Sequence, residues 1–172
     1  MSLAFSIREA TPSDHKNVLE IYPAAFPDED MSDLVMDLLT HIESVNLVAV
    51  IEGSIVGHAA YARCRSTDGS DFIALLGPLC VDVAHHRSGI GSALIQAGAA
   101  RLMALGCSEI LVLGDHRYYG PCGFDVRSEV EPPYPLKTEW LESWRSMSLG
   151  DRPRASGTLI PPALWMKPEH WA

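Results

Sequence analysis

The sequence predicts a mixed α+β fold in a single domain covering residues 1–172. Stretches of strand character and of helical periodicity interleave along the whole chain, in the order βααβββαβαββ. Hydrophobic residues make up 47% of the 172 positions, ample for one core of ordinary domain size. No internal repeat or low-complexity tract interrupts that order.

Residues 3–8 read as the first strand. Thr11-Pro12-Ser13-Asp14 is a helix start, with Thr11 as cap, Pro12 in the first turn and Asp14 complementing the dipole. That helix carries Val18, Leu19 and Tyr22 and ends near Pro23. After the loop Phe26-Pro27-Asp28-Glu29-Asp30, a second helix carries Leu34, Val35, Leu38, Leu39 and Ile42 at helical spacing. Residues 45–51 and 54–63 flank Glu52-Gly53 as a hairpin, and 64–71 is a polar connection. Residues 73–83 form the long central strand. The helix after it places Ile90, Ala93, Leu94, Ala97, Leu102 and Leu105 on or near one face and stops at Gly106. Residues 109–113 are a buried strand, 115–119 a short helical turn, and 123–127 begin another strand. Residues 131–135, with three prolines, must be loop. Residues 142–149 read as a strand, the end of a short helix being the alternative; 151–155 is a turn and 157–160 a last strand.

The stretch Val81-Asp82-Val83-Ala84-His85-His86-Arg87-Ser88-Gly89-Ile90-Gly91 joins the central strand to its helix. A strand that ends in a Gly-rich turn opening a helix makes an anion site, because the first helix amides lack intrahelical partners and the macrodipole adds positive potential. Gly89 and Gly91 let an anion approach the backbone. A hydrogen bond to a charged group contributes roughly 1.5–3 kcal/mol and the dipole about 0.3–1 kcal/mol, so several converging amides outweigh the dipole. Arg87 adds charge and bidentate contacts. An ordinary strand–helix turn with glycines for packing is the alternative, and spacing alone does not choose. Two other phosphate motifs are excluded: no G-x-x-x-x-G-K-[ST] string occurs, and the third position of a dinucleotide fingerprint would be Leu94.

His86-Arg87-Ser88-Gly89-Ile90-Gly91 resembles the Gln/Arg-x-x-Gly-x-Gly/Ala signature of the GCN5-related N-acetyltransferases (GNAT), with His86 where Gln or Arg is usual. Tyr118-Tyr119-Gly120-Pro121-Cys122-Gly123-Phe124 is similar to the family's Tyr-x-x-x-Gly-Phe segment. Leu113-Gly114-Asp115 and Ile160-Pro161-Pro162-Ala163-Leu164-Trp165 resemble a bacterial subgroup of predicted acetyltransferases. The two central motifs cover residues 72–128, and the rest of the chain fits in order.

This resemblance implies a mostly antiparallel central sheet flanked by helices, with the central strand splayed from the next. It implies acetyl-coenzyme A as cosubstrate, without a metal, and direct attack by a primary amine in a ternary complex. Pantetheine amides would bond the exposed backbone of Leu79, Val81 and Cys80, and Pro78 fits a local irregularity there. The pyrophosphate would sit on His86, Arg87, Ser88, Gly89, Ile90, Gly91 and Ser92, and an amide near Val81 would serve the acetyl oxygen. Tyr119 takes the position of the family's tyrosine acid and would hydrogen-bond the departing sulfur, leaving Tyr118 as the core member of the pair.

Ordinary pKa values near 10 for tyrosine and 8.5 for a thiol make full proton transfer uphill by roughly 2 kcal/mol, so Tyr119 reads as a hydrogen-bond donor to developing charge rather than a strong acid. A lysine-like acceptor must lose a proton, at a cost of about 4.6 kcal/mol at pH 7. Asp82, His85, His116 and Glu29 are the candidate bases; a turn cap for His85 and an exposed loop for His116 are the alternatives.

A net charge of −9 argues against nucleic acid as the main partner and fits a cationic acceptor or solubility alone. No apolar run approaches the roughly 18 residues of a membrane helix, and no secretory signal is visible, so a cytoplasmic location is expected. As to partners, no nucleic acid or membrane is expected, and the chain reads as a monomer or homodimer. Cys64, Cys80, Cys107 and Cys122 are widely spaced with no C-x-x-C, which suggests no zinc site; Cys80 and Cys107 read as buried, reduced thiols. The acceptor is a small-molecule or peptide amine: metabolite, antibiotic, peptide N-terminus and lysine side chain all stay open. In the resembling family the first helix pair borders the acceptor side, which would place Asp28-Glu29-Asp30 there; a solvated loop is the alternative. Two other functions fit the same chain. One is a non-catalytic acyl-coenzyme A sensor. The other is an interaction module using Trp140, Trp144, Trp165 and Trp171, whose other reading is core and lid packing.

Overall fold

The computed structural model describes residues 4–171, and of Arg127 only the backbone. The chain forms two compact units: one holds the residues up to Tyr61 with Pro78–Gly98, the other Ala62–Gly77 with the residues from Ala99 on. The fold is the expected mixed α+β type with a mostly antiparallel sheet flanked by helices.

In the first unit, β1 (Ser6–Glu9) precedes a 3-10 turn, Pro12–Asp14, and α1 (His15–Ala25). Leu3 of the expected first strand, residues 3–8, lies outside the described residues, and the strand itself starts at Ser6. Asp14 fixes this entry. Its carboxylate accepts from Thr11 N–H (2.7 Å), from the Thr11 hydroxyl (3.0 Å) and from both Arg8 Nη atoms (2.7 and 2.9 Å). The Arg8 guanidinium holds that carboxyl well below the usual range. α1 ends near Pro23 as expected, its last residue being Ala25. Proline this close to a C-terminus removes only the N–H that would have bonded Leu19, and the turn closes through Phe26 N–H to Tyr22 C=O (2.8 Å).

α2 (Ser32–Thr40) stops before Ile42, which is 96% exposed instead of lying on the helix face. The Thr40 hydroxyl bonds Met36 C=O at 2.9 Å, and the backbone turns extended at His41. β2 (Ser44–Ile51) pairs antiparallel with β1 and turns into β3 (Ser54–Ser66) through Glu52 and Gly53, with φ of 48° and 80°. Two left-handed residues in a two-residue loop give the strand twist a hairpin needs. α1, α2, β2 and β3 bury Val18, Ile21, Tyr22, Val35, Val48 and Ile55 together with Cys80 of β4 (Ile73–Val81). β4 ends two residues short of the expected Val83, because the Asp82 carboxylate caps a 3-10 turn at Val83–His85 and leaves Val83 47% exposed.

α3 (Ile90–Ala104) lies close on β3. A β-carbon on Gly98 would fall 2.2 Å from the Tyr61 ring, whose hydroxyl donates to Leu94 C=O at 3.0 Å. Only glycine allows this approach, which fixes the middle of the helix against β3.

The second unit is built on β5 (Glu109–Leu113), after Gly106 has ended the helix at φ 95°. β5 runs parallel to β4 from Ala74↔Ile110 to Leu76↔Val112. After α4 (His116–Tyr119), β6 (Val126–Arg127) and β7 (Val130–Glu131), the chain passes a 3-10 stretch at Thr138–Ser143 into β8 (Trp144–Ser148), then β9 (Gly157–Ile160). Residues 142–149 thus realise both alternatives, helical end first and strand after. β8 pairs antiparallel with β5 and β6, and β9 pairs antiparallel with β3 and parallel with β7. The pairing of Arg65 and Ser66 with β9 carries β3 past residue 63, so the expected polar connection begins as strand. Trp144 and Trp171 are buried with Cys64, Ile73, Leu75, Leu111 and Leu159; their indole N–H groups donate to Val130 C=O (2.6 Å) and Trp165 C=O (2.9 Å). Of the four tryptophans, Trp144 and Trp171 are core, Trp165 is half-buried against the same cluster, and Trp140 is half-buried and lines a pocket.

Candidate functional site

The end of β4 alternates in burial. Pro78 and Cys80 are buried while Leu79 and Val81 are half-buried, so the latter two share the more open face. The Cys80 thiol donates to Ile21 C=O of α1 at 3.7 Å, and burial pushes it up to about 12. Its side chain serves the core, and only its backbone can serve a ligand.

Beyond Val81 the loop is held by its own polar groups. Asp82 N–H donates to Val56 C=O (2.8 Å), and its carboxylate accepts from Ala84 N–H (3.2 Å). His85 Nδ1 lies 3.9 Å from Asp82 Oδ2, so two of the candidate bases stand side by side. His86 Nε2 lies 2.8 Å from Val81 C=O, and the Ser88 hydroxyl donates to His85 C=O. At the position where the resembling signature has Gln or Arg, this side chain ties the loop to the strand.

Arg87 and Gly89 are both left-handed, with φ of 61° and 85°. Ala93 N–H donates to Gly89 C=O at 3.0 Å as α3 begins, so the amides of Ile90 and Gly91 precede that ladder bond. Nothing lies within 4 Å of where a β-carbon on Gly89 would sit, and Arg87 is exposed. Alternating handedness before a helix N-terminus makes an anion-binding concavity. A left-handed arginine backbone costs about 1–2 kcal/mol, the kind of strain that collects at ligand sites.

Tyr119 is placed by α4. Asp115 caps this turn by accepting from Arg117 N–H (2.9 Å) and pairs with the Arg117 side chain at 2.9 Å. Gly114 N–H donates to Ser143 C=O (2.9 Å), which fixes the residue against which the Tyr119 ring packs. The ring meets Phe124 edge-on at 5.7 Å and Tyr118 at 4.9 Å. Burial, with Tyr118 and Cys122 nearby, raises the Tyr119 hydroxyl well above its usual value, so it is a neutral donor at any ordinary pH. Among the described residues that hydroxyl has no hydrogen-bond partner. Tyr118, expected in the core, is 45% exposed. In a single helical turn only one of two adjacent rings can face Gly114 and Phe124, and that one is Tyr119. His116 and Glu29 are both exposed.

Two cavities accompany these elements. In the first unit an open pocket of about 390 Å³ lies between α1 and the loop into α2, with Leu19, Tyr22, Phe26 and Met31 as apolar lining and Asp28 and Glu29 as acidic lining. Tyr22 and Phe26 stack at 5.7 Å. In the second unit about 660 Å³ is lined by Gly114, Asp115, His116, Trp140, Glu142 and His170, among others. Among the described residues no group of three or more His, Cys, Asp or Glu could hold a metal ion, and no helix is long and apolar enough to cross a membrane.

The sequence reading missed one buried polar chain. Tyr22 Oη lies 2.5 Å from His58 Nδ1, His58 Nε2 lies 2.9 Å from Asn46 Oδ1, and Asn46 Nδ2 donates to Leu38 C=O at 2.9 Å. Burial pushes His58 down to about 3, so it is neutral. Its only signal in the sequence was a histidine inside an apolar strand.

Comparison with known proteins gives the family and the fold. The sequence pattern of the Acetyltransferase (GNAT) family matches residues 15–124. YjhQ, an uncharacterized N-acetyltransferase of Escherichia coli strain K12, is 30% identical over 157 residues, 87% of each chain. The crystal structure of the GNAT family N-acetyltransferase YhbS of Escherichia coli in complex with CoA superposes with a TM-score of 0.85 at 20% identity, over 97% of this chain and 94% of that one. That of a GNAT family acetyltransferase from Brucella melitensis in complex with acetyl-CoA gives 0.75 at 24% identity, over 94% and 98%.

Proposed function

We propose, since the chain belongs to the GNAT family of acetyltransferases, that it transfers the acetyl group of acetyl-coenzyme A to a primary amine. The observation that carries this is the loop after β4: left-handed Arg87 and Gly89 followed by helix amides ahead of their ladder. That concavity fits a diphosphate, with Arg87, Ser88, Gly89, Ile90, Gly91 and Ser92 as its holders; His86, expected among them, is instead engaged within the loop, its N–H toward Val83 C=O (3.4 Å) and its ring on Val81 C=O. The half-buried face of Leu79 and Val81 fits an extended amide chain along the strand.

In the transfer the amine nitrogen bonds the acetyl carbon, the carbon–sulfur bond breaks, the nitrogen gives up a proton and the sulfur leaves as a thiolate that takes one. Tyr119, neutral and with an unpartnered hydroxyl, is the donor to that sulfur. The 390 Å³ cavity beside α1 is the acceptor's seat: its aromatic floor takes an apolar body, and Asp28 and Glu29 favour a positively charged one. Glu29 lines this cavity, and Asp82 with His85 forms the other candidate base. Comparing rate–pH profiles of Glu29→Gln and His85→Gln separates the two.

The direct test is calorimetric titration with acetyl-coenzyme A, followed by free-thiol release against a panel of amines. Binding with turnover of at least one amine supports the proposal. Binding without turnover on any amine points to a sensor of acyl-coenzyme A, and no binding removes the assignment.

A further inference from the structure

The buried chain from Tyr22 to Leu38 has a defined direction. Asn46 donates its amide N–H to Leu38 C=O, so its oxygen faces His58. His58 is fully buried and neutral, with one donor and one acceptor nitrogen. Nε2–H therefore donates to Asn46, Nδ1 accepts, and the Tyr22 hydroxyl donates to it at 2.5 Å. Every polar atom has one role, fixed by the network.

The ends of this chain lie on the two helices that border the cavity. Tyr22 is on α1 and supplies part of the cavity lining, while Leu38 is on α2, which begins at the cavity's edge with Ser32. Asn46 takes a carbonyl in the last turn of α2, one of the groups a helix end leaves without a partner. Two strands, β2 through Asn46 and β3 through His58, thus set the spacing of α1 and α2. An apolar trio of the same volume would set the spacing by packing alone, without the directionality of hydrogen bonds. A directional chain admits one spacing.

We infer that His58 is a positioning residue for the acceptor pocket: through Tyr22 and Asn46 it fixes the cavity between α1 and the loop into α2, and thereby which amine fits. The inference rests on the reading of that cavity as the acceptor's seat. It assigns His58 no contact with substrate and no proton transfer.

The test uses Asn46→Leu, His58→Leu and the conservative His58→Gln, which keeps one donor and one acceptor. With the best amine of the panel, Asn46→Leu and His58→Leu raise KM for the amine roughly tenfold or more, the scale of a misplaced binding wall. The dissociation constant of acetyl-coenzyme A and kcat stay within about threefold, and His58→Gln recovers most of the loss. If His58→Leu does not fold, Tyr22→Phe, which removes only the hydroxyl, carries the same expectation. An unchanged amine KM in folded Asn46→Leu, or a parallel loss of acetyl-coenzyme A affinity, overturns the inference. Hydrogen exchange gives a readout independent of turnover: faster exchange over residues 19–32 with none over 79–92 supports it, and no change over 19–32 overturns it. A wild-type protein that binds acetyl-coenzyme A and acetylates no amine defeats the proposed function instead, while the exchange experiment still decides the role of His58 in the cavity.

Discussion

The ring of Tyr119 occupies the space that a β-carbon on Gly114 would need, its Cε2 only 2.3 Å from that position. Gly114 is not in the left-handed region, so nothing about the backbone itself demands glycine there. The demand comes from the ring. Gly114→Ala should therefore displace Tyr119 while leaving the loop after β4 intact. The expected result is a loss of kcat of roughly ten- to hundredfold, the scale of one hydrogen bond to a developing charge. Acetyl-coenzyme A should bind as before by calorimetry. Tyr119→Phe should match that loss in kcat, and a double variant should lose no more than either alone.

Burial of the Tyr119 hydroxyl predicts a direction in alkali. Its folded-state pKa lies above its unfolded value near 10. Below pH 10 both states are protonated and the group has no effect on the pH dependence of stability. Above it the unfolded chain ionises first, so stability falls as pH rises toward the folded value. Denaturant midpoints of wild type and Tyr119→Phe, compared from pH 8 to 11, should run parallel up to about pH 10 and then converge or cross as the wild type weakens. Tyr22 and Tyr118 are also raised, and the difference between the two proteins removes them. Over the same range kcat should show no step that Tyr119→Phe abolishes below pH 10.

The left-handed backbone of Arg87 separates stability from binding. Arg87→Gly removes the strain of φ 61° and should leave stability unchanged or raise it by up to about 1 kcal/mol. It also removes the guanidinium and should weaken acetyl-coenzyme A by roughly tenfold or more. Gly89→Ala should do the reverse to the fold: no atom blocks the new methyl, yet φ of 85° charges the backbone about 1–2 kcal/mol. Thermal melts with and without acetyl-coenzyme A read both effects. A loss of unliganded stability in Arg87→Gly would contradict the strain assigned to this loop.

The parts of the site that were legible in the sequence are those the chain writes contiguously. The run from Val81 to Ser92 reads as strand, turn and helix because each step depends on neighbours a few residues away. The same holds for the Glu52-Gly53 hairpin and for β5 and β9, whose ends fall where the residue pattern puts them. What was not legible depends on distant partners. β7 exists only because β9 pairs with it, and β3 is lengthened by β9. The Tyr118 and Tyr119 pair could not be told apart within one helical turn, because Gly114 and Phe124 decide which ring is seated. His58 meets Tyr22 36 residues away and Asn46 12 residues away, a relation no local pattern records.

Glu109 extends that lesson to a charge. It opens β5 and is fully buried, a position that a sequence reading assigns simply to an apolar strand. Its Oε1 accepts from Ala155 N–H at 2.7 Å and its Oε2 from the Ser146 hydroxyl at 2.6 Å, with Arg154 Nη2 4.0 Å from Oε2. Arg154 Nη2 in turn donates to the same Ser146 hydroxyl at 3.0 Å. One carboxylate thus holds the segment between β8 and β9 against β5. Glu109→Ala should destabilise by about 3–5 kcal/mol, since it strips the carboxylate facing Arg154 and leaves a buried amide without an acceptor. Glu109→Gln should cost less, about 1–3 kcal/mol, because its oxygen can still serve Ala155 while its NH₂ group meets a hydroxyl already accepting from Arg154. Urea unfolding of the three proteins checks the order. Equal losses for Ala and Gln would mean that the charge, not the hydrogen bonds, does the holding, and no loss in either would mean that the 151–156 segment is held by its apolar contacts, such as Ala155, alone.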